Sequence, residues 1–185
     1  MSQQSNIAII LSGLPGSGKT TLARLLLNYI PNSIHIEIDM FYMNGKSNNK
    51  AFLEHIKDSI KYSSIIICKN YYNKKSITET IALLTNYRYY IFNLVPPDFI
   101  TYDSSNNINR EHQNKFVEKL LDRIEERTDM SSPMKITNIE QRQRAKQVII
   151  NAFVKKYETL DGCFYLDSFS NIDKNIDYII DKIKN

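Results

Sequence analysis

The stretch GLPGSGKT at residues 13–20 has the residue types that bind phosphate groups. Its glycines Gly13, Gly16 and Gly18 let the backbone curl so that successive N–H groups point inward and hold phosphate oxygens. The Lys19 ammonium is placed to reach the β and γ phosphates of a nucleotide, and the Thr20 hydroxyl is a ligand for Mg²⁺. The spacing therefore predicts phosphoryl chemistry at this loop.

The sequence on either side of the loop supports the same interpretation. The run IAIILS precedes it and TLARLLLNYI follows it, which is the strand, GxxxxGK[ST] and helix context of a Walker A loop. The residues predicted to bind the nucleotide are Gly13, Pro15, Gly16, Ser17, Gly18, Lys19, Thr20 and Thr21. The loop does not identify the phosphate acceptor, because kinases, GTPases and motor ATPases share it.

Asp39, in IHIEIDMFY, is the candidate for activating an acceptor. It stands at the end of a predicted strand, at the sheet edge where parallel folds bind their ligands. A carboxylate there can take the proton of a hydroxyl that attacks the γ-phosphate, as a kinase requires. The alternative is an Asp that caps the following turn. Glu37, two residues earlier on the same predicted strand face, is the second candidate for the base.

Arg123 and Arg127 are spaced i, i+4, so on a helix both guanidinium groups share one face. Such a pair can offset the charge of a phosphoryl group during transfer. The alternative is a solvated helix surface on which the DRIEER stretch forms ordinary ion pairs.

These residues need elements to position them, and short β-branched runs alternate with helix-periodic stretches along the chain. We predict strands at residues 7–12, 33–39, 64–68, 88–94 and 163–167, and helices at 19–29, 50–62, 76–86 and 137–159. The patterns S-I-T-E from Ser76 and S-N-I-D from Ser170 predict capping boxes. The last helix should bury one stripe, Ile172, Ile176, Ile179, Ile180 and Ile183. The predicted fold is an α/β P-loop kinase fold in one domain, residues 1–185, with a five-stranded parallel sheet between helices.

Residues 110–136 are long and polar, with a helical pattern followed by a Ser-Ser-Pro break. We predict a helical lid here, a segment that closes over phosphates during transfer. The alternative is a solvated helical hairpin.

Composition limits the functional classes only loosely. The formal charge of +4 and the pI of about 8.9 permit a polyanionic partner without requiring one. Cys68 and Cys163 lie far apart without a zinc or redox pattern, so we predict buried free thiols. The first apolar run is far shorter than a membrane span, and we expect no membrane association and an intracellular location, either cytoplasmic or nuclear.

Four separated stretches together resemble a known family: GLPGSGKTTLA, IHIEID, DRIEERTDMSSP and NAFVKKYETLDGCFYLD. They are similar to the 5'-hydroxyl polynucleotide kinases, and within them to the kinase domain of fungal-type tRNA ligases. The resemblance implies that Asp39 is the general base and that Arg123 and Arg127 contact phosphates. It also implies a nucleoside triphosphate, ATP or GTP, with Mg²⁺ as cofactors.

The chain departs from the family pattern after the third strand. The family usually has an Asp followed by Lys or Arg and Asn, whereas this sequence has Cys68, Lys69 and Asn70. Cys68 cannot supply a carboxylate, so either metal support comes from Asp39, Thr20 and water, or the activity is weakened. The lid segment from Thr128 to Ser131 is also altered, which leaves the preferred donor base open.

Residues after this strand are the candidates for contact with the acceptor. Lys69, Asn70 and Tyr72 are predicted to bind it, because lysines can contact an RNA backbone and a tyrosine can stack on a base. Tyr71, Lys74 and Lys75 extend the same stretch. The alternative is a partly packed surface without a nucleic-acid role.

Together these features predict a kinase that transfers the γ-phosphate of ATP or GTP to RNA 5'-hydroxyl ends, in RNA repair or tRNA splicing. DNA ends are a further candidate acceptor, and a ligase is the expected partner or neighbouring domain. The alternatives are a metabolite or nucleoside kinase of the same fold and a non-catalytic nucleotide-binding switch.

Overall fold

The computed structural model describes residues 6–43, 46–60, 64–71, 74–95, 110–126, 136–154 and 162–184. Its strands are β1 (Ile7–Gly13), β2 (Ser33–Glu37), β3 (Tyr42–Met43), β4 (Lys46–Ser47), β5 (Ser64–Cys68), β6 (Arg88–Val95) and β7 (Cys163–Asp167). Its helices are α1 (Lys19–Leu26), α2 (Asn49–Ser59), α3 (Lys74–Ile81), α4 (Arg110–Glu125), α5 (Ile139–Val154) and α6 (Ile172–Lys184). The β3 and β4 strands form a small antiparallel pair outside the main sheet.

The main sheet has five strands in the order β2-β5-β1-β6-β7, and all neighbours are parallel. This arrangement confirms the predicted fold class. The central strand β1 is flanked by β5 on one side and β6 on the other, so the direction of winding reverses at β1. Parallel α/β folds bind ligands beyond the carboxyl ends of their strands at such a reversal. The loop after β1 lies at that position.

Both faces of the sheet are buried, which is why the strands are almost continuously apolar. Alternate residues point to opposite faces, so Ile9 and Leu11 pack with α1 and α6, whereas Ala8 and Ile10 pack with α2 and α3. The predicted stripe of α6 is confirmed. Its buried members are Ile176, Ile179 and Ile183, and its half-buried members are Ile172 and Ile180.

The second strand is shorter than predicted, because it ends at Glu37 and a 3₁₀ turn covers Ile38–Phe41. The turn places Ile38 and Phe41 against the apolar cluster under α2. This burial stabilises the turn, so the strand ends before Ile38. Asp39 therefore lies in the turn, and the prediction that it shares a strand face with Glu37 is wrong.

Both predicted capping boxes are wrong in their details. The α3 helix begins at Lys74, two residues before Ser76, and the Ser76 hydroxyl accepts a hydrogen bond from Lys69 Nζ instead. The α6 helix begins at Ile172, and the Asn171 side chain, not that of Ser170, accepts from the Asp173 N–H. Asn171 can replace Ser170 in this role because Asn is as good an N-cap as Ser.

The α4 and α5 helices pack on each other and form a third apolar cluster. Val117, Leu120 and Leu121 of α4 are fully buried in it, and each contributes about 1.5–3 kcal/mol of burial energy. The Arg142 side chain of α5 binds three carboxylates of α4, those of Glu118, Asp122 and Glu125. The pair is thus anchored, so a purely solvated hairpin is excluded for its described part. Its closure as a lid stays a prediction, and residues 127–135 of that segment lie outside the described ranges.

Candidate active site

The phosphate loop has the backbone that its glycines permit. Gly16 and Gly18 have φ values of 78° and 95°, in the left-handed region that favours glycine. Gly18 is the residue before α1, so the helix begins with Lys19 directly after the loop. The positive end of α1 therefore lies at the end of the loop, where it favours a phosphate. The Ser17 N–H is used within the loop, because it donates to the Leu14 carbonyl oxygen at 3.1 Å.

The other predicted nucleotide contacts lie around this space. Gly13, Gly16 and Ser17 are buried, Pro15 and Gly18 are half-buried, and Thr21 is exposed. Within the described part of the chain the Ser17 hydroxyl oxygen finds no hydrogen-bond partner, although it is buried. A buried hydroxyl without a partner is costly, and a phosphate oxygen would remove that cost.

The Lys19 ammonium lies folded over the loop. It donates to the carbonyl oxygens of Gly13 at 2.8 Å and Leu14 at 3.0 Å. A lysine in this position can exchange a carbonyl for a phosphate oxygen with a small movement of a flexible side chain. The contact of Lys19 with the β and γ phosphates stays a prediction.

The Thr20 hydroxyl, predicted as a metal ligand, donates to the carboxylate of Glu37. Glu37 is the last residue of β2 and is in register with Cys68 of β5. The hydroxyl of Thr20 and the carboxylate at the end of β2 are therefore in direct contact. The sequence did not predict this pairing, because it depends on how α1 crosses the sheet.

Cys68 lies beneath this pair and is fully buried, as predicted, whereas Cys163 is only half-buried. The Cys68 thiol donates to the Lys19 carbonyl oxygen, at a distance of 3.7 Å. Burial raises the pKa of the Cys68 thiol far above its usual range, and the negative charges of Glu37 and Asp39 add to the effect. Cys68 is therefore a neutral thiol, and it supplies no charge to the site.

Asp39 is half-buried in the turn after β2, at the carboxyl edge of the sheet. Its charge, like those of Lys19 and Glu37, acts on the pKa of Cys68. All three charged groups thus lie within electrostatic reach of one sulfur atom. Asp39 thus lies near the phosphate loop, and its role as a base stays a prediction.

Arg123 faces the phosphate loop from α4. Its guanidinium donates to the Ser168 carbonyl oxygen at 2.7 Å and lies 4.4 Å from the centre of the Phe169 ring. Partial burial lowers the pKa of Arg123, although Asp167 opposes that shift. A cleft of about 300 Å³ lies between this guanidinium, the loop residues Gly16–Gly18 and the segment after β7. Arg127, the predicted partner of Arg123, lies outside the described residues.

The segment between β7 and α6 was missed in the sequence. Ser168, Ser170 and Asn175 line the cleft together with Arg123. Ser168 is fixed to the end of β6 because its N–H and its hydroxyl both donate to the Val95 carbonyl oxygen, at 2.9 and 3.0 Å. The only signal was the polar run DSFSN directly after the last predicted strand, where sheet-edge residues are expected.

Lys69 does not lie on the surface that its predicted role requires. It is 8% exposed, and its ammonium donates to the side chains of Asn49 and Ser76, the latter at 2.9 Å. The same ammonium lies 5.0 Å from the centre of the Tyr71 ring. Lys69 thus joins α2 and α3, and contact with an RNA backbone would require these bonds to break.

The Asn70 side chain, in contrast to that of Lys69, makes no hydrogen bond among the described residues. Of the polar atoms that the structure describes, both side-chain atoms of Asn70 are buried without a hydrogen-bond partner. The neighbouring Tyr71 is buried and its hydroxyl donates to Thr80 at 3.0 Å, so it packs in the core and does not face a ligand. Lys74 and Lys75 begin α3 on the exposed side. Tyr72 lies outside the described ranges.

A divalent metal would have few protein ligands here. Among the described residues no three His, Cys, Asp or Glu side chains lie together as a metal cluster. Mg²⁺ is commonly held by one or two protein oxygens plus substrate phosphates, and Thr20 with Glu37 fits that pattern. No described helix combines the length and the apolar character needed to span a membrane.

Comparison with known proteins gives one family and several fold relatives. The family described as the tRNA ligase kinase domain matches residues 7–182. No curated protein sequence matches the chain.

The fold relatives share little sequence with this chain. A gluconokinase from Sinorhizobium meliloti 1021 superposes with a TM-score of 0.57, 10% identity and 98% coverage of both chains. A sugar kinase from Janibacter sp. HTCC2649 superposes with a TM-score of 0.58 and 13% identity, and the match covers 97% of this chain and 95% of that one. The tunicamycin resistance protein of Deinococcus radiodurans superposes with a TM-score of 0.53 and 15% identity, and the match covers 96% of this chain and 95% of that one. At these identities the likeness shows the fold.

Proposed function

Because this chain belongs to the tRNA ligase kinase domain family, and is therefore a kinase of this fold, we propose that it phosphorylates the 5'-hydroxyl ends of RNA. The donor is ATP or GTP, with Mg²⁺. The reaction would prepare RNA ends for a ligase, either a neighbouring domain or a separate protein. The observation that carries the proposal is the position of Asp39 at the same sheet edge as Lys19 and Thr20, since an acceptor hydroxyl needs a base beside the phosphates.

The donor would bind across the loop and the cleft. The N–H groups of Gly16, Gly18, Lys19 and Thr20 would hold its phosphates. Lys19 would move from the loop carbonyls to the β and γ oxygens. The cleft beside Arg123 and Ser168 would take the base and ribose. Thr20, whose hydroxyl contacts Glu37, would hold Mg²⁺, and the bound ion would offset the charge of the phosphates.

In the transfer step Asp39 would accept the proton of the 5'-hydroxyl. The 5' oxygen forms a bond to the γ phosphorus, the bond from that phosphorus to the bridging oxygen breaks, and the nucleoside diphosphate leaves with the electron pair. Lys19 and Arg123 would stabilise the charge on the transferring group. Little covalent help is needed from the protein, so positioning and charge supply most of the rate.

A small-metabolite kinase is the second candidate, and one observation favours it. Lys69, which was expected to follow an RNA backbone, is buried and already bonded, so the described acceptor edge is less basic than the sequence predicts. An enclosed acceptor site of lower charge would suit a sugar or nucleoside better than a polyanion.

A competition among acceptors separates the two functions. The protein is incubated with Mg²⁺ and γ-labelled ATP or GTP, and it is offered a 5'-hydroxyl RNA, its 5'-phosphate counterpart, a 5'-hydroxyl DNA and a panel of sugars and nucleosides. We expect label on the 5'-hydroxyl RNA and none on the 5'-phosphate RNA. Label on a sugar or nucleoside alone would favour the second candidate. Nucleotide binding without transfer to any acceptor would contradict both.

A further inference from the structure

The contact between Thr20 and Glu37 joins the phosphate loop to a carboxylate on a strand that is not its neighbour in the sheet. Thr20 lies in the first turn of α1, and its hydroxyl donates to Glu37 at the end of β2. The strand β5 separates β2 from β1. The contact therefore reaches over β5, at the level of Cys68, which is in register with both Glu37 and Leu11.

Cys68 contacts the carbonyl oxygen of Lys19, the first residue of α1, and its thiol is unsuited to a magnesium site. Its side chain is fully buried and already donates to the Lys19 carbonyl oxygen. Mg²⁺ prefers oxygen ligands, and a neutral thiol offers neither the oxygen nor the charge. P-loop nucleotide sites generally pair the loop Ser or Thr with an acidic residue. In the described part of this site, Glu37 is the acidic residue in contact with Thr20.

We propose that Glu37 positions Thr20 for the metal ion of the bound nucleotide. Because the hydroxyl proton is held by the Glu37 carboxylate, the lone pairs of the Thr20 oxygen are directed away from β2 and stay available to a cation. An anionic acceptor also makes the hydroxyl oxygen a stronger ligand.

This role separates the two carboxylates that stand close together in the sequence. Glu37 is engaged with α1 and acts on the phosphate side, whereas Asp39 lies beyond the end of the strand, in the turn. Glu37 is thus a positioning residue, and the proton acceptor is Asp39. The inference rests on the proposed function only in that a Mg²⁺–nucleotide complex occupies the loop, and it needs no statement about the acceptor.

The test measures metal binding without any acceptor. Mn²⁺ is titrated into the protein with saturating ADP or GDP and followed by electron paramagnetic resonance, for the wild type, Glu37→Gln and Glu54→Gln. We expect Glu37→Gln to weaken Mn²⁺ binding by about 10–100-fold, the usual effect of losing the partner of a metal ligand. Glu54→Gln is the matched control, since it makes the same change at an exposed glutamate of α2, and it should leave Mn²⁺ binding unchanged. Unchanged Mn²⁺ binding in Glu37→Gln would overturn the proposal.

A second pair of variants tests whether Glu37 acts through Thr20. Thr20→Val removes the hydroxyl and keeps the side-chain shape, so adding Glu37→Gln to it should cause little further loss of Mn²⁺ affinity. Additive losses would overturn the route through Thr20. If Glu37→Gln fails to fold, Glu37→Asp keeps the charge and shortens the reach to Thr20, and it should also weaken Mn²⁺ binding. Because no RNA is present, failure of the RNA kinase proposal leaves these results interpretable.

Discussion

The backbone of Gly16 packs directly against the carbonyl oxygen of Leu120, so the phosphate loop and α4 meet without a side chain between them. A Cβ atom at Gly16 would lie 2.8 Å from that oxygen and 3.2 Å from Ile124 Cγ1. Leu120 and Ile124 are buried in the cluster shared with α5. The position of the α4–α5 pair is therefore tied to the shape of the loop.

Gly16→Ala should be much more damaging than Gly18→Ala. Both positions have a positive φ, which costs an alanine about 1–2 kcal/mol, but only Gly16 also faces the Leu120 carbonyl, whereas a Cβ at Gly18 meets open space. We expect Gly16→Ala to lower the free energy of unfolding by more than about 2 kcal/mol, measured by urea denaturation. Equal losses in the two variants would contradict the close packing.

Lys19→Ala should abolish phosphate transfer and leave the fold intact. The ammonium donates to two loop carbonyl oxygens, so we expect the free energy of unfolding to change by about 1 kcal/mol or less. The rate of transfer should fall by at least about a thousandfold, because a main source of charge stabilisation is lost. The two measurements are a denaturation curve and a transfer assay. Substantial transfer by Lys19→Ala would contradict the assignment of the loop.

Arg123→Ala should slow transfer by about 100-fold or more, because it removes a preorganised cation beside the loop. Lys119→Ala is the matched control, since Lys119 lies on the same helix with its ammonium 5.1 Å from the same Phe169 ring. Lys119 is exposed, and its loss should change the activation free energy by less than about 0.5 kcal/mol. Similar rates for the two variants would mean that Arg123 only packs on Phe169.

His35 should make stability depend on pH below neutrality. Burial lowers the pKa of His35, and the Arg24 charge lowers it further; among the described groups, its buried Nε2 has no hydrogen-bond partner. In the unfolded chain the His35 side chain has a pKa of about 6.5. As the pH falls below this value, the unfolded state therefore binds a proton more readily than the folded state. Stability should be full above that value and fall as the pH drops below it.

The measurement is the free energy of unfolding of wild type and His35→Gln at about pH 7.5 and about pH 5.5. The variant should lose less stability on acidification than the wild type does. An equal loss in both proteins would show that other groups cause the pH dependence.

The strands and the phosphate loop could be predicted because their signals are local. A strand buried on both faces must be apolar at nearly every position, and the run IAIILS before Gly13 meets that demand. The spacing of Gly13, Gly18, Lys19 and Thr20 likewise reflects the backbone of one short loop. Such features require no knowledge of which elements become neighbours.

The remaining parts of the site depend on tertiary neighbours. The contact between Thr20 and Glu37 follows from the order β2-β5-β1 and from the direction of α1, which no local pattern specifies. Lys69 looked exposed because it follows a strand, but α2 and α3 close over it. Ser168 reaches the cleft only because β7 pairs with β6.

The most direct test of the proposed kinase is the transfer of labelled γ-phosphate to a 5'-hydroxyl RNA by the wild type and by Asp39→Asn. Nucleotide affinity is measured on the same samples. We predict that the wild type labels the RNA, and that Asp39→Asn is slower by about 100-fold or more with its nucleotide affinity retained. If Asp39→Asn transferred phosphate at the wild-type rate, the role of Asp39 as the base would be contradicted. If the wild type bound nucleotide but left the RNA unlabelled, the proposed RNA kinase activity would be contradicted.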